Sequence, residues 1–283
     1  MASIILNHQL NCDRRRDELF DGQLLVYTRR SSTEALANHA IEMISEVLAP
    51  DPEKAQFSLD VNAFVKIVGS LKSRFTNDLT TKKLVRDILD DFGCDLDKTY
   101  FDVPRLRVVP HGGYLSSGVS YAYKAHRDTW YSSPACQVNW WMPVFDVTSS
   151  RAMSFFPEYW DRPVKNSSAG FDYGEWLQVG RTQASSQIKY DARNHPLPLE
   201  EIGGVSSELR IAGTKGDIIL FSAGYLHATA PNVSGSTRFS VDFRTFNTSD
   251  LQSSRGCKNI DNKSTGSTIS DFFRASDFSK CDL

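Results

Sequence analysis

At 283 residues the chain can bury a sizeable core, as one large domain or two small ones. Its 40% apolar and 23% charged content is that of an ordinary globular protein. With 32 basic against 34 acidic residues, the net charge of −2 leaves no electrostatic footprint for nucleic acid or an anionic membrane.

No uninterrupted apolar run approaches the roughly 18 residues needed to cross a bilayer. The N-terminus has no basic region ahead of its short apolar patch, so no signal peptide is expected. Five cysteines, Cys12, Cys94, Cys136, Cys257 and Cys281, are scattered and never in CxxC spacing. That pattern argues against a disulfide framework or a zinc ribbon, and it points to a reducing cytoplasm.

In chain order, an alternating apolar start is followed by the charge run Asp13-Arg-Arg-Arg-Asp-Glu18, read as a solvated face, and by Gly22-Gln-Leu-Leu-Val-Tyr27, read as a strand. Ser31 and Glu34 have capping-box spacing, and Leu36, Ala40, Ile44, Val47 and Leu48 form one helical stripe. Asp60 precedes a second stripe of Val61, Phe64, Val65, Val68 and Leu71. A third helix runs from about Thr81 to Phe92 and stops at Gly93. His39, in the first of these helices, reads as a surface or packing residue.

Beyond Gly93 the texture changes to short β-type runs separated by Gly, Ser, Pro and Asn, predicting a mainly β body behind a helical layer over about 31–93. Strands are expected at Arg105–Val109, Val119–Ala125, Cys136–Asp146, Ser154–Phe156, Leu209–Gly213, Gly216–Phe221 and Arg238–Arg244. The polar stretch 161–209 reads as an insertion covering a site rather than a separate domain. Residues 248–283 read as a loose tail, with one short helix over Ile269–Phe278. A single domain over 1–283 accounts for the whole pattern.

The chemistry concentrates in Tyr121-Ala-Tyr-Lys-Ala-His-Arg-Asp-Thr-Trp130. On an extended backbone His126 and Asp128 point to one side, so an imidazole and a carboxylate can share a metal ion. His227 closes the run Gly216-Asp-Ile-Ile-Leu-Phe-Ser-Ala-Gly-Tyr-Leu-His227 and would complete a face of two histidines and one carboxylate. That donor set is the one non-haem Fe(II) oxygenases use. Arg238 lies eleven residues on, with Ser240 on the same strand face. A guanidinium and a hydroxyl together fix the orientation of a carboxylate, although an ion pair of Arg238 with Asp217 or Asp242 is the structural alternative.

Taken together, His126-Arg-Asp128, Gly216–Phe221 leading to His227, and Pro231-Asn-Val-Ser234 ahead of Arg238-Phe-Ser240 resemble the Fe(II)/2-oxoglutarate-dependent oxygenases, in their phytanoyl-CoA dioxygenase-like branch. The resemblance covers about residues 100–246. It implies a double-stranded β-helix, a cupin-like jelly roll, with Fe(II) held by His126, Asp128 and His227. It further implies 2-oxoglutarate chelating the iron, its far carboxylate on Arg238 and Ser240, with Asn139 and Trp141 as further cosubstrate contacts. Decarboxylation of 2-oxoglutarate by O₂ would give succinate, CO₂ and an Fe(IV)=O species, with ascorbate supporting turnover in vitro. Related halogenases have Gly or Ala where Asp128 stands, so a carboxylate favours hydroxylation, desaturation or oxidative ring closure.

For the substrate, no concentrated basic cluster suits an acyl-CoA. Arg107, Tyr121, Tyr123, Arg127 and Trp130, with Arg105, Lys124 and Tyr131 nearby, suit a small polar metabolite with carboxylates, such as an amino-acid derivative of specialised metabolism. Arg244 is left between a second carboxylate contact and a barrel-exterior charge. A cupin-like metal-dependent isomerase and a non-catalytic β-sandwich binding module remain the alternatives at this level, and Arg238-x-Ser240 argues against the first.

Overall fold

The computed structural model describes residues 3–115, 124–180, 195–203 and 208–282, with the side chains of 179 and 180 excepted. Helix α1 spans Cys12–Phe20, α2 Ser31–Leu48, α3 Val61–Asn77 and α4 Leu79–Asp91. Of the apolar stripes read from the sequence, Leu36, Ala40, Ile44 and Leu48 on α2, Phe64, Val68 and Leu71 on α3, and Val85, Ile88 and Leu89 on α4 are buried, whereas Val47 is exposed; Phe75 extends the buried face of α3. Asp60 caps α3 by accepting from the backbone N–H groups of Asn62 and Ala63. Asp78 caps α4 through Thr81, which is why that helix starts at Leu79 rather than near Thr81. The box at the head of α2 also sits one residue early: the Thr33 hydroxyl, not Glu34, accepts from the Arg30 backbone N–H.

The strands are β1 Ile4–Leu6, β2 Leu24–Tyr27, β3 Thr99–Phe101, β4 Arg105–Val109, β5 Val138–Pro143, β6 Met153–Phe155, β7 Leu209–Arg210, β8 Ile218–Ser222, β9 His227–Thr229, β10 Arg238–Asn247 and β11 Phe273–Arg274. Eight form one sheet, in the order β1-β2-β8-β5-β10-β3-β11, with β4 also pairing on β10. Three form a second, in the order β7-β6-β9. All the pairings are antiparallel except β1 with β2. The molecule is thus sheet-rich with several helices. The expected strand over Val119–Ala125 lies largely outside the described residues.

Alternation sends the two faces of the large sheet to different neighbours. Val138, Trp140, Met142, Leu220, Phe239, Val241 and Phe243 join the core formed with α2, α3 and α4. Trp141, Ile219 and Phe221 face the other way and pack with Met153 and Phe155 of the small sheet. Covering on both sides explains why β5 and β8 are buried at every residue and read as continuous apolar runs.

Two stretches differ from the sequence reading. The charge run is helix α1, and its Arg15 and Arg16 are buried rather than solvated, because Arg15 lies over the rings of Phe92 and Trp140 and Arg16 pairs with the buried Asp250. The C-terminal segment is not loose and does not form the expected helix. A 3-10 turn at Ile269–Asp271 leads into β11, which pairs with β3. Gly256 brings the segment against the Ala135 backbone so closely that a Cβ there would sit 2.5 Å from the Ala135 carbonyl carbon.

Candidate metal centre and pocket

The two sheets meet at the site. An isolated antiparallel bridge pairs His126 with His227, the first residue of β9, through hydrogen bonds of 2.9 and 3.0 Å. It holds their rings 4.3 Å apart, centroid to centroid. His126 Nδ1 lies 2.7 Å from the Lys124 carbonyl and His227 Nδ1 lies 2.9 Å from the Tyr225 carbonyl. Each ring therefore donates from Nδ1 and turns Nε2 inward, the nitrogen that a metal ion would take. Asp128 opens a 3-10 turn rather than lying on a strand. Its Oδ1 lies 3.4 Å from His126 Nε2 and 3.9 Å from His227 Nε2. The three donor atoms all fall within 4.8 Å of one another, and no other such cluster of His, Cys, Asp or Glu occurs among the described residues.

The local electrostatics keep this set ready for a cation. Burial opposes the Asp128 charge, but the His126 hydrogen bond, the charge that His227 carries in the acid range where this carboxyl titrates, and the charge of Arg244 outweigh it and hold the carboxyl well below its usual range. Burial, followed by His126, pushes His227 down to about 4, so its ring is neutral near pH 7. Gln137 is a residue the sequence reading left without a role. Its Nε2 donates to Asp128 Oδ2 at 2.9 Å and to Asn139 Oδ1 at 3.0 Å, which fixes the carboxylate so that Oδ1 faces the histidines. Its position two residues before Asn139 on one strand face was the available signal.

These donors line a cavity of about 350 Å³. Arg238, Asp242 and Arg244 of β10 line it, as do Asn139 and Trp141 of β5 and Arg105 and Arg107 of β4. Arg238 is 3% exposed, yet it pairs with no carboxylate among the described residues. Asp217 is occupied by the backbone N–H groups of Arg29 and Thr214, and Asp242 by Arg107. The Arg238 guanidinium is aimed by the Arg151 and Ala152 carbonyls, at 3.1 and 3.2 Å from Nη1, and lies 5.8 Å from the Trp141 ring. Burial first, then the Arg107 charge, lowers it to about 10, so it stays cationic. Its Nε, the Ser240 hydroxyl, Asn139 Nδ2 and Gln137 Oε1 are buried with no hydrogen-bond partner among the described residues.

Leaving such polar atoms unmet costs on the order of 1–3 kcal/mol each, and more for a charge. Arg238 and Asn139 line the cavity, whereas Ser240 and Gln137 are fully buried and do not line it; the unmet atoms of Arg238 and Asn139 fit a bound polar group there. An anion with several oxygens satisfies the guanidinium, and a dicarboxylate also reaches a metal at the other end. Both the donor set and these orphan atoms fit Fe(II) with 2-oxoglutarate.

Among the proposed substrate residues, Arg107 lines the cavity in a two-point ion pair with Asp242, at 2.5 and 3.0 Å. Arg244 also lines it and is bridged to Asp102 at 3.0 Å, so it is not an exterior charge. Arg127 and Trp130 are corrections. Arg127 points opposite to its neighbours His126 and Asp128 and is buried. It bonds the carbonyls of Gly224, Tyr159 and Arg162 and pairs with Asp261 at 3.1 Å. Trp130 is fully buried and donates to the same Asp261 at 2.7 Å. Neither lines the cavity; both anchor the turn that carries Asp128 to the C-terminal segment. Tyr121 and Tyr123 lie outside the described residues. Phe171, Tyr173, Trp176 and His195, from the polar stretch 161–209, line the cavity together with Tyr131. Tyr131 stands 5.4 Å from His126 and 5.5 Å from Phe171, between ring centroids.

No known family profile matches the chain, and no curated protein does. Solved structures similar to it include the non-heme monooxygenase ThoJ, at 14% identity and a TM-score of 0.40 over 76% of this chain and 70% of that one. The epimerase SnoN, in complex with Fe3+, alpha ketoglutarate and nogalamycin RO, is similar at 12% identity and a TM-score of 0.44 over 83% and 84%. EvdO2 from Micromonospora carbonacea var. aurantiaca, complexed with 2-oxoglutarate, is similar at 12% identity and 0.46 over 85% and 93%. A likeness of this size carries no weight of its own. What fits the superfamily resembled by the motifs is the donor set His126, Asp128 and His227 itself.

Proposed function

We propose that the chain is an Fe(II)- and 2-oxoglutarate-dependent oxygenase of a small polar metabolite, a single domain built on a double-stranded β-helix. The observation that carries the reading is the pairing, in one cavity, of the His126, Asp128 and His227 donors with a buried Arg238 that no described carboxylate meets. A metal site alone would also serve an isomerase, whereas a buried cation beside it calls for an anionic cosubstrate.

In this reading His126 and His227 present Nε2 to the iron, and Gln137 holds the Asp128 carboxylate in its ligating orientation. Arg238 and Ser240 bind the far carboxylate of 2-oxoglutarate, and Asn139 and Trp141 line its flank. Iron, 2-oxoglutarate and O₂ supply the oxidation, with succinate and CO₂ as coproducts, and the iron centre's chemistry belongs to the cofactor rather than the protein. Tyr131, Phe171, Tyr173 and Trp176 wall the cavity with rings and exclude water from the reacting C–H bond. Arg105, Arg107 and Arg244, ion-paired with Asp102 and Asp242, also line the cavity and offer donors to a polar substrate, and about 350 Å³ suits a small metabolite such as an amino-acid derivative.

The test is succinate formation by the purified protein supplied with Fe(II), 2-oxoglutarate, ascorbate and O₂, alone and with a panel of amino-acid-derived metabolites. Succinate above the metal-free control supports the reading. Failure to bind both Fe(II) and 2-oxoglutarate overturns it.

A further inference from the structure

On the helix-covered face of the large sheet lies a second chemically unusual group, unconnected with the metal centre. Cys12 is the first residue of α1, and Cys94 follows Gly93 at the end of α4. Although far apart in sequence, the two thiols interact side chain to side chain. Two arginines of α1 bind them: Arg16 Nη1 lies 2.8 Å from Cys12 Sγ, and Arg15 Nη2 lies 3.4 Å from Cys94 Sγ. Arg16 is balanced by Asp250 and Asp13. Arg15 is not: it is buried, it meets no carboxylate among the described residues, and its other neighbours include the Leu10 carbonyl, the Tyr27 hydroxyl and the rings of Phe92 and Trp140. A buried guanidinium without a carboxylate favours another anion nearby, and the Cys12 thiolate, which feels the Arg15 charge, is a group able to supply one.

We propose that Cys12 and Cys94 are an oxidative modification site, a dithiol that a hydroperoxide closes to a disulfide linking the N-terminus of α1 to the turn after α4. Cys12 is the half-buried member and the attacking one. The interaction with Cys94, together with the charges of Arg15 and Arg16, holds its thiol down at about 6 against the opposing effect of burial. Its place in the first turn of a helix favours the thiolate further. Cys94 is buried and raised by its contact with Cys12 and by burial, so it remains the protonated partner.

In the first step the Cys12 thiolate attacks the hydroperoxide: the O–O bond breaks, an S–O bond forms, and the leaving alkoxide or hydroxide takes a proton. That gives a sulfenic acid at Cys12 and an alcohol or water. In the second step Cys94 sulfur attacks Cys12 sulfur, its own proton leaves with the hydroxyl as water, and the S–S bond closes. The two thiols are oxidised by two electrons and the hydroperoxide is reduced by two. Closure consumes the thiolate held by Arg16, and it involves the Cys94 sulfur held by Arg15, behind the strand that carries Asn139 and Trp141 into the cavity.

The test uses the full chain, treated with hydrogen peroxide, alkylated under denaturing conditions and mapped by mass spectrometry. A Cys12–Cys94 linked peptide is the expected first product, with Cys136, Cys257 and Cys281 still alkylatable. In Cys94→Ser, Cys12 sulfenic acid should accumulate and be trapped by a 1,3-dione. Without peroxide, the alkylation rate of Cys12 in the native protein should level off above about pH 6, whereas an ordinary thiol keeps gaining to about pH 8.5. The proposal is overturned if Cys12 and Cys94 both stay alkylatable at a peroxide dose that oxidises half of a free-cysteine standard, or if the Cys12 rate climbs to about pH 8.5.

Discussion

The two faces of the large sheet each hold a buried arginine that meets no carboxylate among the described residues, and the two are treated differently. Behind the sheet, Arg15 is wrapped by aromatic rings and sulfur in a face otherwise filled by close-packed apolar side chains. In front, Arg238 is held by two backbone carbonyls at the edge of a cavity, with buried polar atoms around it that have no described partner. The rear arginine is completed by its own chain, whereas the front one is pre-oriented toward something the described residues do not supply. Pre-orientation with unmet hydrogen-bonding capacity separates a binding face from a structural one.

The largest expected effect tests the front face at its metal end. Asp128→Ala should lower Fe(II) affinity and coupled turnover by more than the roughly 100-fold typical of losing a residue that only orients a ligand, read by ferrous-ion titration and by succinate yield. Next is Arg238→Met, which should raise the KM for 2-oxoglutarate about 100-fold, equivalent to about 2.7 kcal/mol by the tenfold-per-1.36 relation. Iron binding should be unaffected in that variant. A KM that stays within about twofold would place Arg238 with Arg15 as a structural arginine and erase the contrast between the faces.

The rear face should respond in stability rather than chemistry. Phe64→Ala, in the α3 core, should cost about 3–5 kcal/mol in urea unfolding while leaving the affinity of the folded protein for Fe(II) unchanged. Gln137→Leu sharpens the front-face account: Asp128 is kept but loses the donor to Oδ2, so metal affinity should fall about 10-fold or more with little change in the 2-oxoglutarate KM.

The smallest effect is a pH dependence. Burial tends to raise the Asp242 carboxyl, but the charge and hydrogen bond of Arg107, helped by Arg105 and Arg244, leave it below its ordinary value. A depressed carboxyl contributes stability that is present above its unfolded pKa of roughly 3.9 and is lost as pH falls through the lower folded value. The urea midpoint should therefore drop on acidification below about pH 4, and Asp242→Asn should flatten that slope.

How far the site could be read from sequence follows from the reach of each interaction. His126, Asp128 and His227 were legible because strand alternation and a shared metal chemistry leave a pattern in residue type and spacing. Ser240 stands two residues from Arg238 on one face of β10, as strand alternation predicts. The helices over α2 to α4 were legible from their apolar period, and their starting residues were not, because Asp78 and Thr33 compete with neighbours that have the same capping chemistry. Arg127 and Trp130 were misread because nothing local announces Asp261, which arrives from 131 to 134 residues away. Arg15 and Arg16 were misread because a charge run gives no sign that rings and a buried carboxylate await it. The role of Gln137 depends on which way Asp128 turns, which only the folded backbone sets.

The central claim is that one cavity binds a metal at His126, Asp128 and His227 and an anion at Arg238 together. The most direct measurement is anaerobic calorimetric titration of 2-oxoglutarate into the protein, with and without Fe(II). The account predicts one 2-oxoglutarate per chain, bound much more tightly when Fe(II) is present, weakened by Arg238→Met and freed of its metal dependence by Asp128→Ala. Tight Fe(II) binding with no detectable 2-oxoglutarate binding in its presence would contradict it.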